Sequence, residues 1–452
     1  MADVVSFHKA LVSSPLKNSA CLGAALLFQG LGRSTALMHG SQGCTAFGKV
    51  FFVRHYREPI PLQTTAMDQV SSVMGGDENV LQALATICEK STPSFIGLLT
   101  SSLVETQGSD IARLVKEFRQ RHPEFKDIAV VPVNTPDFDG GFEQGYAAAM
   151  QALIRTQIPV SEQAGLRKKQ VNVLVGAHLN AADLEFVRES IESFGLRALM
   201  IPNLEHSLDG HLEASDFSAL TTGGLAKDDF ALAGQSLATL VIGASLTTAA
   251  DTLKNLTQVP DWRFDHLMGL DHVDAWLACL SELSKKEIPL SWRRQRAQLL
   301  DAMLDCHFIL GKAKIAIASE ADLVIAWQDL LLSIGAELVT AVVPQRCASL
   351  VKLKRDKVIV GDFSDLERDA AECGAHLLLG SSHALASAER LSVPLLRTGF
   401  PQHDWLGGFR SLSSGYRGSQ LSLFALANLL SAQHVALPAY NSYLRPADVS
   451  VS

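Results

Sequence analysis

The stretch His39-Gly-Ser-Gln-Gly-Cys44 holds the residues of this chain best suited by type and order to do chemistry. Ser34 to His39 reads as a short strand, Gly40-Ser-Gln-Gly43 as a tight turn, and Thr45 to Tyr56 as a helix with Ala46, Val50 and Val53 on one side. A cysteine placed there meets the free amides and positive end of the helix, which favour thiolate, the form that binds iron or attacks carbon. Gly40 and Gly43 let backbone amides come close to a bulky anionic group, as the sulfides of an iron-sulfur cluster require, and Ser41 and Gln42 can donate hydrogen bonds that tune it. The same spacing also fits a buried cysteine at a tight strand-helix turn. A cluster needs about four ligands, so if Cys44 is one, the others come from elsewhere. The plausible source is another polypeptide, with the ligands meeting across a subunit interface.

The other cysteines do not form a set with it. Seven are scattered along the chain with no C-x-x-C pair, so a disulfide framework is not expected. Cys88, Cys279, Cys306 and Cys373 sit on helical apolar patterns as small core residues, and Cys347 falls in a loop after Pro344. No phosphate-binding, dinucleotide, zinc-protease or nucleophile-elbow motif is present. Gly380-Ser-Ser-His-Ala384 reads as a helix-capping turn in which Ser381 or Ser382 accepts from free amides. Trp292-Arg-Arg-Gln-Arg296 reads as a solvated or salt-bridged helix face. No catalytic residue emerges.

These residues must be held by a large folded chain. The 452 residues correspond to two to four domains, and 47% apolar with 19% charged residues is the composition of a soluble globular protein. With 39 basic and 47 acidic side chains, net −8, the field discourages nucleic-acid or anionic-lipid partners. No apolar run reaches the roughly 18 residues of a membrane span. The patch Cys21 to Phe28 reads as the first amphipathic helix of a cytoplasmic protein.

Short continuous apolar strands alternate with helices to the end of the chain. Ser94 to Leu99, a helix Ser109 to His122 and Asp127 to Val133 are followed by a polar break near Pro159 to Lys169. Strand Val171 to Val175, helix Ala181 to Phe194, Gly195 and strand Leu196 to Ile201 open a second unit. A third begins after helix Trp292 to Leu310, with strands Ala313 to Ala318 and Glu337 to Val343, continuing through His376 to Leu379 and Val393 to Leu396. Uniform apolar strands joined by helices imply parallel sheets and right-handed crossovers. The expected fold is α/β: three Rossmann-like open parallel-sheet domains over residues 1–165 (with the Cys44 loop), 166–290 and 291–452 (with a C-terminal helix). Ligands in such domains gather at the carboxyl ends of strands, which points to the turns after His39, Leu99, Val133 and Ala318.

The segments His39 to Cys44, Phe51-Phe-Val-Arg-His-Tyr-Arg-Glu-Pro59, Asp68 to Gly76, Val133 to Phe138, Arg294 to Leu310 and Leu395 to Pro401 resemble the nitrogenase component 1 family. They are similar to the molybdenum-iron protein beta chain and, more closely, to the NifN branch. The resemblance implies a nitrogenase molybdenum-iron protein-like fold. It further implies a scaffold subunit, rather than a catalyst, on which an iron-molybdenum cofactor precursor is held transiently and matured. Implied partners are a NifE-like subunit in an alpha2beta2 heterotetramer, nitrogenase iron protein, a NifB-type precursor donor and apo molybdenum-iron protein. The beta chain has two more cluster cysteines where this chain has Leu62 and Ser102. The resemblance therefore implies a 4Fe-4S cluster with one ligand from Cys44 and three from the partner. Arg54, His55 and Arg57 fall either at a partner or iron-protein interface or on a solvated helix face. The rival readings are a beta subunit of nitrogenase proper and a metal-free binding subunit.

Overall fold

A computed structural model describes residues 3–433, apart from 8, 10, 11, 13 and 213–217. Three parallel sheets carry the chain. In the first, the order is Leu62–Thr64, Ser34–His39, Phe95–Thr100, Ala129–Val133. The second runs Arg197–Ile201, Arg167–Val175, Ser236–Ile242, Asp261–Phe264. The third centres on Lys314–Ala318, flanked by Glu337–Val343 and Lys357–Val360 on one side and by Leu377–Gly380 and Leu395–Arg397 on the other. Every pairing among these strands is parallel. Ser34–His39 and Phe95–Thr100 are buried at every position, because helices cover both sheet faces; this is why they read as unbroken apolar runs.

Two features depart from expectation. Asp3–Ser6 pairs parallel with Lys357–Val360 and forms the edge of the third sheet, so the first strand of segment 1–165 is built into the other end of the chain. Lys9 secures the crossing by bridging Asp362 and Asp365 at 2.7 and 2.6 Å. The first helix, Ala20–Gln29, is buried all round rather than amphipathic. It crosses the Phe142–Gln157 helix at backbone contact: a Cβ on Gly23 would lie 1.7 Å from the Phe142 carbonyl oxygen, and one on Gly145 1.8 Å from that of Ala20. Asp137 caps this helix, accepting from Ser19 Oγ and the Ala20 amide at 2.8 Å each.

The three sheets meet at a set of buried carboxyls. Asp322 accepts from Ser245 Oγ at 2.6 Å and donates its amide to Glu143 at 2.9 Å, with His178 Nδ1 3.9 Å away. Burial, reinforced by Asp322, raises the Glu320 carboxyl to about 8, and burial raises those of Glu143 and Asp322. The long helix Leu290–Leu310 packs against the C-terminal helix Gly415–Ser431, and residues 434–452 of the expected third segment lie outside the described residues. Among the described residues no helix is long and apolar enough to cross a membrane.

Candidate functional site

The chain leaves the Ser34–His39 strand for a helix leading to one neighbouring strand, and reaches the other neighbour, Phe95–Thr100, by a separate crossover. The connections therefore diverge between these two strands, and the crevice at their carboxyl ends is where open parallel sheets bind ligands. Gly40 to Cys44 forms one wall and the turn at Ser101-Ser102 the other. A Cβ on Gly40 would come within 2.7 Å of Ser101 Oγ, so the two turns are in contact and position 40 has no room for a side chain.

The turn is braced from behind. The Gly40 amide donates to Thr65 Oγ1 at 3.2 Å, the Gly40 carbonyl accepts from the Met67 amide at 3.0 Å, and Ser41 bridges to Met67. His39 is fully buried with Nδ1 2.9 Å from Thr65 Oγ1, and burial lowers its pKa to about 4, so the ring is neutral. The helix spans Gln42–Tyr56, three residues longer at its start than the spacing suggested, with Ser41 at the N-cap. The Ser41 hydroxyl does not cap the helix. It lies 3.3 Å from Cys44 Sγ, where either group can donate.

Cys44 is exposed, which removes the reading in which it merely packs inside a turn. Gln42 and Gly43 are exposed beside it, and a Cβ on Gly43 would meet nothing within 4 Å. A glycine costs about 0.5–1 kcal/mol against alanine in a helix, and no contact among the described residues requires it. Space above the first helical turn is what that glycine provides.

The helix turns the opposite way from its apolar pattern. Thr45, Gly48, Phe52, His55 and Tyr56 face inward, while Ala46, Val50 and Val53 face solvent with Phe47, which is 72% exposed. Val73 and Met74, in the turn after Met67, are 83% and 81% exposed, and Leu103 on the opposite wall is also exposed. The exposed thiol thus sits on a surface with large apolar side chains that none of the described residues covers, the surface character of an interface. Of the three basic residues suggested for this helix, Arg54 and Arg57 are exposed, Arg57 donating to the His403 carbonyl at 2.9 Å. His55 is not at the surface: it is 6% exposed, and Nδ1 accepts from the Gln402 amide at 3.0 Å.

Among the described residues no second exposed thiol stands with Cys44: Cys21 is near enough to feel its charge but is buried. Cys21, Cys88, Cys279 and Cys306 are buried, and Cys347 and Cys373 are half-buried, the latter more open than a core residue. Burial pushes the Cys21 thiol up to about 12, which makes it inert. Leu62 is fully buried in its strand, beside Gly48, and Ser102 Oγ accepts from the Asp137 amide at 3.0 Å. Neither position offers a thiolate. The donor set is one thiol at an open helix start, which fits a cluster completed by another chain and does not fit one held by this chain alone.

The remaining sequence motifs resolve into structure. Ser381 Oγ accepts from the His383 amide as a cap, and Ser382 Oγ accepts from the His403 amide at 2.8 Å. Arg296 makes a forked pair with Asp274 at 2.9–3.0 Å, and Trp292 is buried. One grouping was not anticipated: His266 and His272 converge on Asp329 at 3.4 and 3.2 Å, with Lys354 at 3.0 Å. His266 Nδ1 accepts from the Met268 amide, so Nε2 carries the proton and points it at Asp329, which is a hydrogen-bonded arrangement rather than a metal-ready one. Burial alone would raise the Asp329 carboxyl, but the bonds from His266, His272 and Lys354 hold it far below the usual range. Residues this far apart in sequence leave no local signal.

The model of nitrogenase component 1 type oxidoreductases matches residues 19–431, and the chain belongs to that family. Among its relatives is the nitrogenase iron-molybdenum cofactor biosynthesis protein NifN of Klebsiella pneumoniae, 42% identical over 98% of this chain and 96% of that one. The NifN proteins of Bradyrhizobium diazoefficiens and of a Nostoc strain are each 41% identical, covering 96% and 95% of this chain and 92% and 95% of theirs. A solved chain described as nitrogenase Cp1 at pH 6.5 superposes with a TM-score of 0.87 at 26% identity, over 95% of each chain. The identity to these NifN proteins exceeds that to the nitrogenase structure, and the match in fold bears out the expected molybdenum-iron protein-like architecture.

Proposed function

We propose that this chain takes part in iron-molybdenum cofactor biosynthesis for nitrogen fixation, as the subunit of a NifEN-type scaffold complex that contributes Cys44 to a 4Fe-4S cluster shared with a NifE-like partner. The observation that carries the reading is an exposed thiol at the start of a helix, over a glycine with open space and inside an uncovered apolar patch. Cys44 would be the ligand. The open space at Gly43 would leave room for the cluster beside the first helical turn, and Ser41 Oγ, 3.3 Å from Sγ, would supply a hydrogen bond that tunes the sulfur. Gln42 lies at the rim, and Gly40 sets the turn against Ser101. The cluster itself would supply electron storage or a clamp between the chains.

Phe47, Val50, Val73 and Met74 would dock the partner and exclude water from the cluster. The precursor is held mainly by the partner chain, and nitrogenase iron protein, a NifB-type donor and apo molybdenum-iron protein act on the assembled tetramer. A role as beta subunit of nitrogenase, with half of an eight-iron cluster, is disfavoured by Leu62 in the sheet core and Ser102 in an Asp137 bond. Copurification with a coexpressed NifE-like chain, followed by iron counting and electron paramagnetic resonance, tests the reading. A four-iron, all-thiolate signal per heterodimer besides any bound precursor is expected. Eight-iron stoichiometry at this seam, or none, rejects it.

A further inference from the structure

The far end of the Cys44 helix opens on a second site. A cavity of about 590 Å³ lies where the three sheets meet, a size suited to a small organic molecule. His55 and Tyr56 line it, each 6% exposed. The His55 ring is neutral, since burial lowers its pKa to about 4. Its Nδ1 is committed as acceptor to the Gln402 amide, so the proton is on Nε2, and among the described residues that N–H has no acceptor. The Tyr56 hydroxyl has none either, and burial raises its pKa, so it stays protonated.

The charges around the cavity lean the same way. The Asp183 carboxylate is already filled by the Ser413 and Ser414 amides at 2.9 and 2.7 Å, so it has little to offer a ligand. Arg397 pairs with Asp404 through Nε and Nη2, leaving Nη1 uncommitted. Arg410 pairs with Glu185 and the Asp209 carbonyl through its terminal nitrogens, leaving Nε. What remains for an occupant is a set of donors, with the Gln402 Oε1 acceptor and the His178 ring also unpartnered among the described residues, on a wall that includes the indoles of Trp327 and of Trp405, over which the Arg397 guanidinium lies at 5.1 Å. We infer that this cavity binds a small organic monoanion with a flat apolar body, its oxyanion toward His55 and Tyr56 and its body against the two indoles.

Calorimetric titration of the copurified complex with 1-naphthoate and its uncharged twin 1-naphthamide tests this. One naphthoate should bind per chain, at least tenfold more tightly than the amide. Tyr56→Phe should weaken naphthoate about tenfold, the loss of one hydrogen bond to a charged group, and weaken the amide, whose carbonyl is a neutral acceptor, by clearly less. Ala425→Trp, which fills the cavity, should abolish binding of both. Equal affinity for acid and amide, no effect of Tyr56→Phe, or unaltered binding to Ala425→Trp overturns the inference. The Tyr56→Phe comparison stands even if the tryptophan variant fails to fold.

Discussion

Two glycines in one turn are predicted to respond oppositely to the same methyl group. At Gly40 the added carbon lies 2.7 Å from Ser101 Oγ and 2.9 Å from Ser101 Cβ, so one turn must move; overpacking of this kind costs about 1–3 kcal/mol. At Gly43 the methyl meets nothing within 4 Å, and replacing a helical glycine by alanine gains about 0.5–1 kcal/mol. Urea unfolding of the chain purified without a partner should therefore separate Gly40→Ala from Gly43→Ala by about 1.5–4 kcal/mol, with the wild type between them. In the coexpressed pair the order inverts for Gly43→Ala: the methyl stands where the cluster comes to the helix, and bound iron should fall although the subunit is more stable. A Gly43→Ala chain that is less stable alone, or a pair that keeps all its iron, would refute the claim that this space is reserved for an external group.

Further outcomes follow from the same geometry. Phe47→Asp puts a charge into the uncovered apolar patch, and it should weaken copurification with the partner by tenfold or more in a pull-down, while circular dichroism of the single chain stays unchanged. His39 and His55 have folded pKa values lowered to about 4, so the unfolded chain binds more protons below pH 6.5. Stability is full above that pH and should fall as pH drops toward 4, by about 3 kcal/mol per ring, with His39→Gln flattening part of the slope in denaturant titrations. Glu320 acts with the opposite sign: its carboxyl, raised to about 8, favours folding below pH 4.5 and loses that contribution as pH rises through 8. Glu320→Gln should accordingly hold its melting temperature between pH 7 and 9 better than the wild type.

The alternation of strand and helix was legible because strands covered on both faces, such as Phe95–Thr100, have no polar positions to interrupt them. The Cys44 turn was legible because a glycine-bounded polar turn between an apolar strand and a helix has few other solutions. Periodicity in the next helix identified an apolar face but not what covers it: Ala46, Val50 and Val53 point outward, while the inward face is built from Thr45, Gly48 and His55, which no hydropathy pattern marks as core. The pairing of Asp3–Ser6 with Lys357–Val360 joins segments from opposite ends of the chain, beyond the reach of any local signal. Nothing local in the sequence marks Glu143 and Asp322, which are sealed where the sheets converge and joined by hydrogen bonds across neighbouring units.

The central claim concerns one sulfur atom and is tested most directly by replacing it. Iron content and the low-temperature paramagnetic spectrum of the coexpressed complex should be compared for the native chain and Cys44→Ala, with Cys88→Ala as a buried control. Loss or conversion of the shared four-iron signal in Cys44→Ala, with Cys88→Ala keeping it, is the predicted result. An identical iron count and spectrum in the Cys44→Ala complex would contradict it.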